Sequence, residues 1–282
     1  MNRARMVWDL VRDSVAGFFE DNATRKAAAL AYYTLFSLAP LLIISIAIAG
    51  AVFGAEAARG EILAQIRGLT GDQAAAAIEG MVRNASRPAA GIFAAIVGLA
   101  TLLFGATSAF AELKQGLDQI WGAPAETVRG LWYTIRTRLL SFGMILAVGF
   151  LLLVSLVFSA AVSALQNTWL MSLGTGLLLQ AVNFVFSFAM VAAMFAVLYK
   201  LLPSVRIAWH DVVIGSIVTA GLFSVGKFLI GLYLGRSAVS SSYGAAGAVI
   251  VVLLWVYYSA LIFLLGAEFT KVFARRHGSH AA

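Results

Sequence analysis

The sequence predicts an all-α, polytopic membrane protein with six transmembrane helices, and three observations predict it. Hydrophobic residues fill 61% of the 282 positions and charged residues 12%, with a mean hydropathy of +0.91. The apolar residues gather into six long runs, 28–53, 89–113, 140–165, 170–202, 211–234 and 244–273. The charges fall mainly between the runs. A hydrocarbon core about 30 Å thick takes ~20 apolar helical residues to cross. Lipid also offers backbone N–H and C=O groups no outside partner, so such runs are helices. Six buried helices in a soluble protein would need a polar surface that so few charged residues cannot supply.

Residues 1–27 form a segment ahead of the spans. Val7, Leu10, Val11, Val15, Phe18 and Phe19 recur at helical spacing, with Asp9, Arg12, Asp13 and Glu20 elsewhere on the wheel. The pattern predicts a short amphipathic helix. Two placements are open to it, on the cytoplasmic membrane surface or against the protein's own helices. The first span carries Pro40 mid-way, which removes a helical hydrogen bond and predicts a kink, as a local structural feature or a moving hinge. The outer loop, 54–88, predicts two short helices divided at Gly68–Gly71. Past the second span, the inner segment 114–138 holds a Trp121-Gly122 turn and Pro124. Asn167 and Thr168 leave only a tight turn between spans three and four, which makes those two antiparallel neighbours. Gly50 with Gly54, and Gly231 with Gly235, have the four-residue spacing of close helix approach. The organisation expected is one transmembrane domain, 28–273, followed by a basic cytoplasmic tail, 274–282.

A net charge of +7 and a pI near 9.9 would suit a nucleic-acid binder, but the positions of the charges explain them better. With the N-terminus inside, fourteen Lys and Arg lie on the inner side and five on the outer, with Lys227 in the membrane. The positive-inside rule therefore predicts both termini in the cytoplasm. The chain has no cysteine, which excludes disulfides, thiolate nucleophiles and cysteine metal sites. The first apolar run starts late, behind a charged leader, so no cleaved signal peptide is expected.

An ionisable group in hydrocarbon needs a reason. Lys227 is the outstanding one, set among Gly221-Leu-Phe-Ser-Val-Gly and Phe228-Leu-Ile. Helical rise puts it roughly 12 Å from the outer end of its span. Ser216, Ala220 and Gly231 share its face, and no acid falls at its depth in another predicted span. On the fourth span Gly176, Gln180, Asn183 and Ser187 form one polar stripe. Thr101 and Tyr257 fall nearer the mid-plane, and Ser240, Ser241, Ser242 and Tyr243 make a polar approach from outside. Together these residues predict an outward-opening, weakly cationic substrate pathway. Two plainer readings stand beside it. Lys227 can snorkel to the headgroups or lose its charge in an apolar site, and the stripe can serve as interhelical glue. Glu112, Lys200 and Glu268 fall at inner helix ends, where structural ion pairs with Lys26, Lys114 or Lys271 are expected.

Three stretches carry a resemblance: Ala28-Ala-Leu-Ala-Tyr-Tyr-Thr-Leu-Phe-Ser-Leu-Ala-Pro40, Glu112-Leu-Lys-Gln-Gly-Leu-Asp-Gln-Ile-Trp-Gly122, and Tyr199-Lys-Leu-Leu-Pro203 continuing through Trp209, Lys227, Tyr243-Gly244 and Trp255 to Gly266-Ala-Glu268. With them the chain resembles the YihY/BrkB family of bacterial inner-membrane proteins across nearly its whole length. The resemblance implies six helices and a bacterial inner-membrane location. The family's names come from serum resistance, virulence and a former ribonuclease BN-like label, and some members are connected with export of lipid-type envelope molecules.

Three functions compete. A transporter or flippase for an amphipathic, anionic, lipid-like envelope molecule would use Lys227 for the acidic headgroup and the polar stripe for its hydroxyls. A non-transporting scaffold of envelope biogenesis would need no internal pathway. A ribonuclease would need clustered histidine and aspartate ligands around metal ions. The histidines are only His210, His277 and His280, in no such cluster, so neither that activity nor another enzymatic one is expected. The expected partners are membrane lipids and the anionic substrate, with self-association or an envelope partner protein open. No cofactor, metal or nucleic acid is expected.

Overall fold

The computed structural model describes residues 3–70, 72–85, 91–124, 176–236 and 245–279. Among them eight helices follow in order: α1 Arg3–Glu20, α2 Ala23–Phe53, α3 Ala55–Thr70, α4 Asp72–Ala85, α5 Gly91–Ile120, α6 Gly176–Leu201, α7 Trp209–Arg236 and α8 Ala245–Arg276. No strand occurs among the described residues. Five helices are long and apolar enough to cross a membrane, through Ala23–Ala47, Ile96–Ile120, Ala181–Leu201, Trp209–Tyr233 and Val249–Arg276. They coincide with five of the six predicted runs. The run 140–165 lies outside the described residues, as do residues 167 and 168, Tyr243 with the serines before it, and the side chain of Gln180.

Helix ends follow local chemistry. Asn22, in the left-handed region at φ 53°, turns the chain from α1 into α2. α2 runs unbroken through Pro40 to Gly54, whose positive φ and N–H bond to the Gly50 carbonyl, 2.9 Å, end it. The Gly50–Gly54 spacing is thus a helix cap, and a Cβ on Gly231 would meet no atom of the described residues within 4 Å. α5 continues past the expected end at position 113 to Ile120, then stops in a Schellman motif. Gly122 at φ 63° lets Ala123 N–H reach the Asp118 carbonyl at 2.8 Å, and Gly122 N–H reach Gln119 at 3.0 Å. Residues 55–85 do form two helices, but α3 runs through Gly68 to Thr70, so the break comes at the end of the expected interval. The Thr70 hydroxyl bonds back to the Ile66 carbonyl at 2.8 Å and helps to hold that last turn.

The chain divides into two compact units, and α5, α7 and α8 contribute to both. The second comprises Asn22–Gly116 and Val225–Leu264. Its core joins Leu42 of α2 with Ala74, Ala77, Ile78 and Val82 of α4, Ile230 of α7, and Val251 and Val252 of α8. The segment between α2 and α5 is therefore packed on apolar helix surface by one face of α4, at the three- and four-residue spacing of an amphipathic helix.

The first unit comprises Met1–Asp21, Leu117–Ser224 and Leu265–Ala282. In it α1 buries Leu10, Ser14 and Phe18 while Val7, Trp8, Val11, Val15 and Phe19 stay exposed. The exposed apolar residues lie between that buried face and the polar face carrying Arg5 and Arg12. Burying Leu10 and Phe18 stabilises the attachment by about 1.5–3 kcal/mol each. Packing against the protein's own helices thus claims one face of α1, and a second apolar face remains open.

Candidate functional site

Three parts of the chain meet at the end of α8 within the first unit. Glu268 is fully buried there. Its Oε2 accepts a bond from Lys271 Nζ at 3.1 Å, the partner one helical turn along. The same Nζ lies 3.4 Å from Asp21 Oδ2, just past the end of α1. Gln119, in the last turn of α5, donates through Nε2 to Asp21 Oδ1 at 3.1 Å. Gly17 of α1 makes room for the acid, since a Cβ there would stand 2.6 Å from Glu268 Oε2. Glu268 Oε1 is buried and has no hydrogen-bond partner among the described residues. Burial pushes Asp21 up, but its hydrogen bond with Glu268 and the charge of Lys271 outweigh that, and its pKa falls below the ordinary 3.8.

Further contacts frame this cluster. The Tyr199 and Thr219 hydroxyls meet at 3.1 Å, both buried, against Gly266. Asp118 accepts bonds from Ser204 N–H at 2.6 Å and Ser204 Oγ at 3.0 Å, which pins the α6–α7 connection to the end of α5. Buried Asp211, in the first turn of α7, accepts from Ser279 N–H at 3.1 Å and Oγ at 2.6 Å, so the tail closes on that helix. Arg276 reaches Asp9, at 3.7 Å, and Asp13 of α1. Lys200 turns to the Ile207 carbonyl and lies 5.2 Å over the Trp209 ring. Its observed partners are therefore a carbonyl and an aromatic face.

The residues of the predicted pathway are shared between the units. Asn183 and Ser187 lie on α6 in the first, and the Oδ1 of Asn183 is buried with no hydrogen-bond partner among the described residues. Lys227, Thr101, Tyr257, Glu112 and Pro40, each half-buried, belong to the second. Lys227 sits at the edge of the packed side of α7. Gly226 and Ile230 are buried beside it, whereas Val225, Phe228 and Leu229 are exposed. Gly226 is tight against Tyr258 and Ile262 of α8. Thr101 spends its hydroxyl proton on the Val97 carbonyl at 2.8 Å. With Tyr32, Tyr33, Phe36, Ala100 and Phe104 it lines an aromatic groove of about 300 Å³ on α2 and α5.

A family model described as virulence factor BrkB matches residues 14–282. The chain belongs to the BrkB family. Among its relatives, a UPF0761 membrane protein of Pseudoalteromonas atlantica is 31% identical over 261 residues, covering 89% of this chain and 81% of the relative. One from Alteromonas mediterranea is 29% identical, covering 93% and 88%. A longer relative from Rhodospirillum centenum is 30% identical, over 93% of this chain but 56% of its own. No solved structure matches.

In this BrkB-family protein, parts of the second and third stretches that carried the resemblance meet in the first unit. Tyr199 packs over Gly266, Lys200 on Trp209, and Gln119 reaches the acid cluster around Glu268. The sequence reading singled out Glu268 but missed Asp21 and Gln119 as its companions. The i,i+3 spacing of Glu268 and Lys271 was a visible signal, whereas Asp21 lies 250 positions from Lys271 and left none.

Proposed function

We propose that this membrane protein spans the bacterial inner membrane six times, with both termini in the cytoplasm, and moves an amphipathic, anionic, lipid-like envelope molecule. The observation that carries the reading is Lys227. It is a basic side chain within a helix long and apolar enough to cross a membrane, half-buried at the packed edge of α7 rather than on the side that exposes Val225, Phe228 and Leu229. A cation so placed suits an acidic headgroup, and the exposed apolar faces of the spans suit acyl chains. The buried Asn183 carbonyl oxygen adds an unused acceptor for a headgroup hydroxyl. The reading is non-enzymatic.

The test is native mass spectrometry with lipid analysis of gently purified wild type and Lys227→Ala. Wild type retains a defined anionic lipid, and the variant loses it at equal expression. Identical bulk lipid in both would overturn the reading. The scaffold alternative would then lead, and the open apolar face of α1, with Trp8 67% exposed, favours it as a partner surface.

A further inference from the structure

We propose that α1 is an interfacial anchor: one face seats it on the protein, and a second, apolar face with an arginine border lies in an anionic lipid headgroup layer. The proposal uses only the membrane insertion of the chain and stands without the transport reading.

Helical spacing sorts α1 into strips. Leu10, Ser14 and Phe18, at steps of four, form the buried one. Trp8, Val11, Val15 and Phe19, at steps of three, four and four, form an apolar strip beside it, and all four are exposed. Arg5 and Arg12 come next on the wheel, along the edge of that strip away from the buried face, and both are exposed. Asp9 and Asp13 lie further round, where Arg276 of α8 meets them. Cations of α1 thus border its open apolar strip, while these two acids are turned to the protein. Arg12 also bonds Asp13 at 3.0 Å, an exposed and therefore weak tie that leaves further guanidinium N–H groups for a phosphate.

Position along the spans says what covers the strip. α1 is held at the last turns of α8, by Gly17 against Glu268 and by Asp9 and Asp13 on Arg276, and the apolar span Val249–Arg276 ends there. The span Trp209–Tyr233 begins at the same end of the first unit, since Asp211 holds Ser279 and the His210 and Phe273 rings lie 6.1 Å apart. The span Ala181–Leu201 ends there too, with Lys200 5.2 Å over the Trp209 ring. Spans that stop together mark the boundary between hydrocarbon and headgroups. Trp8 and Trp209, 67% and 58% exposed, carry at this end the rings that concentrate at such a boundary. An apolar strip placed there meets acyl chains, and arginines along its edge meet lipid phosphates.

The experiment uses the absence of cysteine. Val15→Cys on the strip and Ala16→Cys on the polar side each take a bimane fluorophore, in the whole protein in nanodiscs of phosphatidylcholine and phosphatidylglycerol. Brominated acyl chains quench the label at position 15 several-fold more than the label at position 16, and aqueous iodide quenches them in the opposite order. Brominated phosphatidylglycerol quenches at position 15 more strongly than the same content of brominated phosphatidylcholine, and Arg5→Gln with Arg12→Gln removes that difference. Val11→Cys repeats the test on the same strip should labelled Val15→Cys fail to fold. Equal iodide access at both positions would overturn the proposal, because the strip would then lie in water. Shielding at position 15 from both quenchers would overturn it too, with protein as the cover. A quenching difference between the two lipids that is absent, or that survives the arginine changes, would overturn the anionic headgroup as the ligand.

Discussion

Tyr199 donates its hydroxyl proton to Thr219 at 3.1 Å where α6, α7 and α8 meet over Gly266. The direction is fixed because Thr219 spends its own proton on the Gly215 carbonyl, 2.7 Å away. A Cβ on Gly266 would run into both side chains. Gly266→Ala is therefore expected to destabilise the protein by about 1–3 kcal/mol through overpacking. Denaturant unfolding in mixed micelles measures it, and pairing the change with Thr219→Ala should recover part of the loss.

Removing the other hydroxyl is milder. In Tyr199→Phe the Thr219 oxygen keeps its bond to Gly215 and loses only an incoming donor. The cost is about 0.5–1.5 kcal/mol. A loss well above that in the same unfolding assay would show that the Tyr199 hydroxyl has a second task.

Acid should loosen the attachment of α1. Burial opposes ionisation of Asp21, but the hydrogen bond with Glu268 and the nearby Lys271 charge lower its pKa beneath 3.8 in the folded protein. Its stabilisation is then complete above about pH 4 and is lost as pH falls through the folded pKa. Melting temperature measured from pH 6 down to pH 3 should fall for wild type and change less for Asp21→Asn. Parallel curves would remove Asp21 from the account.

The tail is held by one buried acid. Ser279→Ala removes the 2.6 Å hydroxyl bond to Asp211 and leaves the backbone bond, for an expected loss near 1.5 kcal/mol. Asp211→Ala removes both bonds and a favourable charge in the first turn of α7, and should cost more. Cleavage by trypsin after Arg275 and Arg276 should rise in that order, and an unchanged rate in Asp211→Ala would refute the anchoring role.

Orientation can be read directly because the chain has no cysteine. Gly60→Cys, on an exposed position of α3 with open space around it, should react with a membrane-impermeant maleimide in spheroplasts. His277→Cys, exposed at the other end, should react only after lysis. The reverse pattern would invert the proposed topology.

Residue by residue, the sequence determined what the bilayer enforces locally. A span must satisfy its own backbone bonds over ~20 residues, so five of the six runs could be matched with helices from composition alone. The Trp121-Gly122 stop was legible for a similar reason, since the left-handed turn at Gly122 is a property of that residue. The break before α4 was placed less closely, because a helix tolerates Gly68 at about 1 kcal/mol and runs on to Thr70. Tertiary structure alone decided which polar groups meet. Lys200 was equally able to seek an acid or a carbonyl, and the fold of residues 202–208 gave it Ile207 and Trp209. Asp21, Gln119 and Glu268 come from three distant parts of the chain. Their meeting depends on packing, such as Gly17 lying against the acid, and helical periodicity carries no record of a contact across 250 positions.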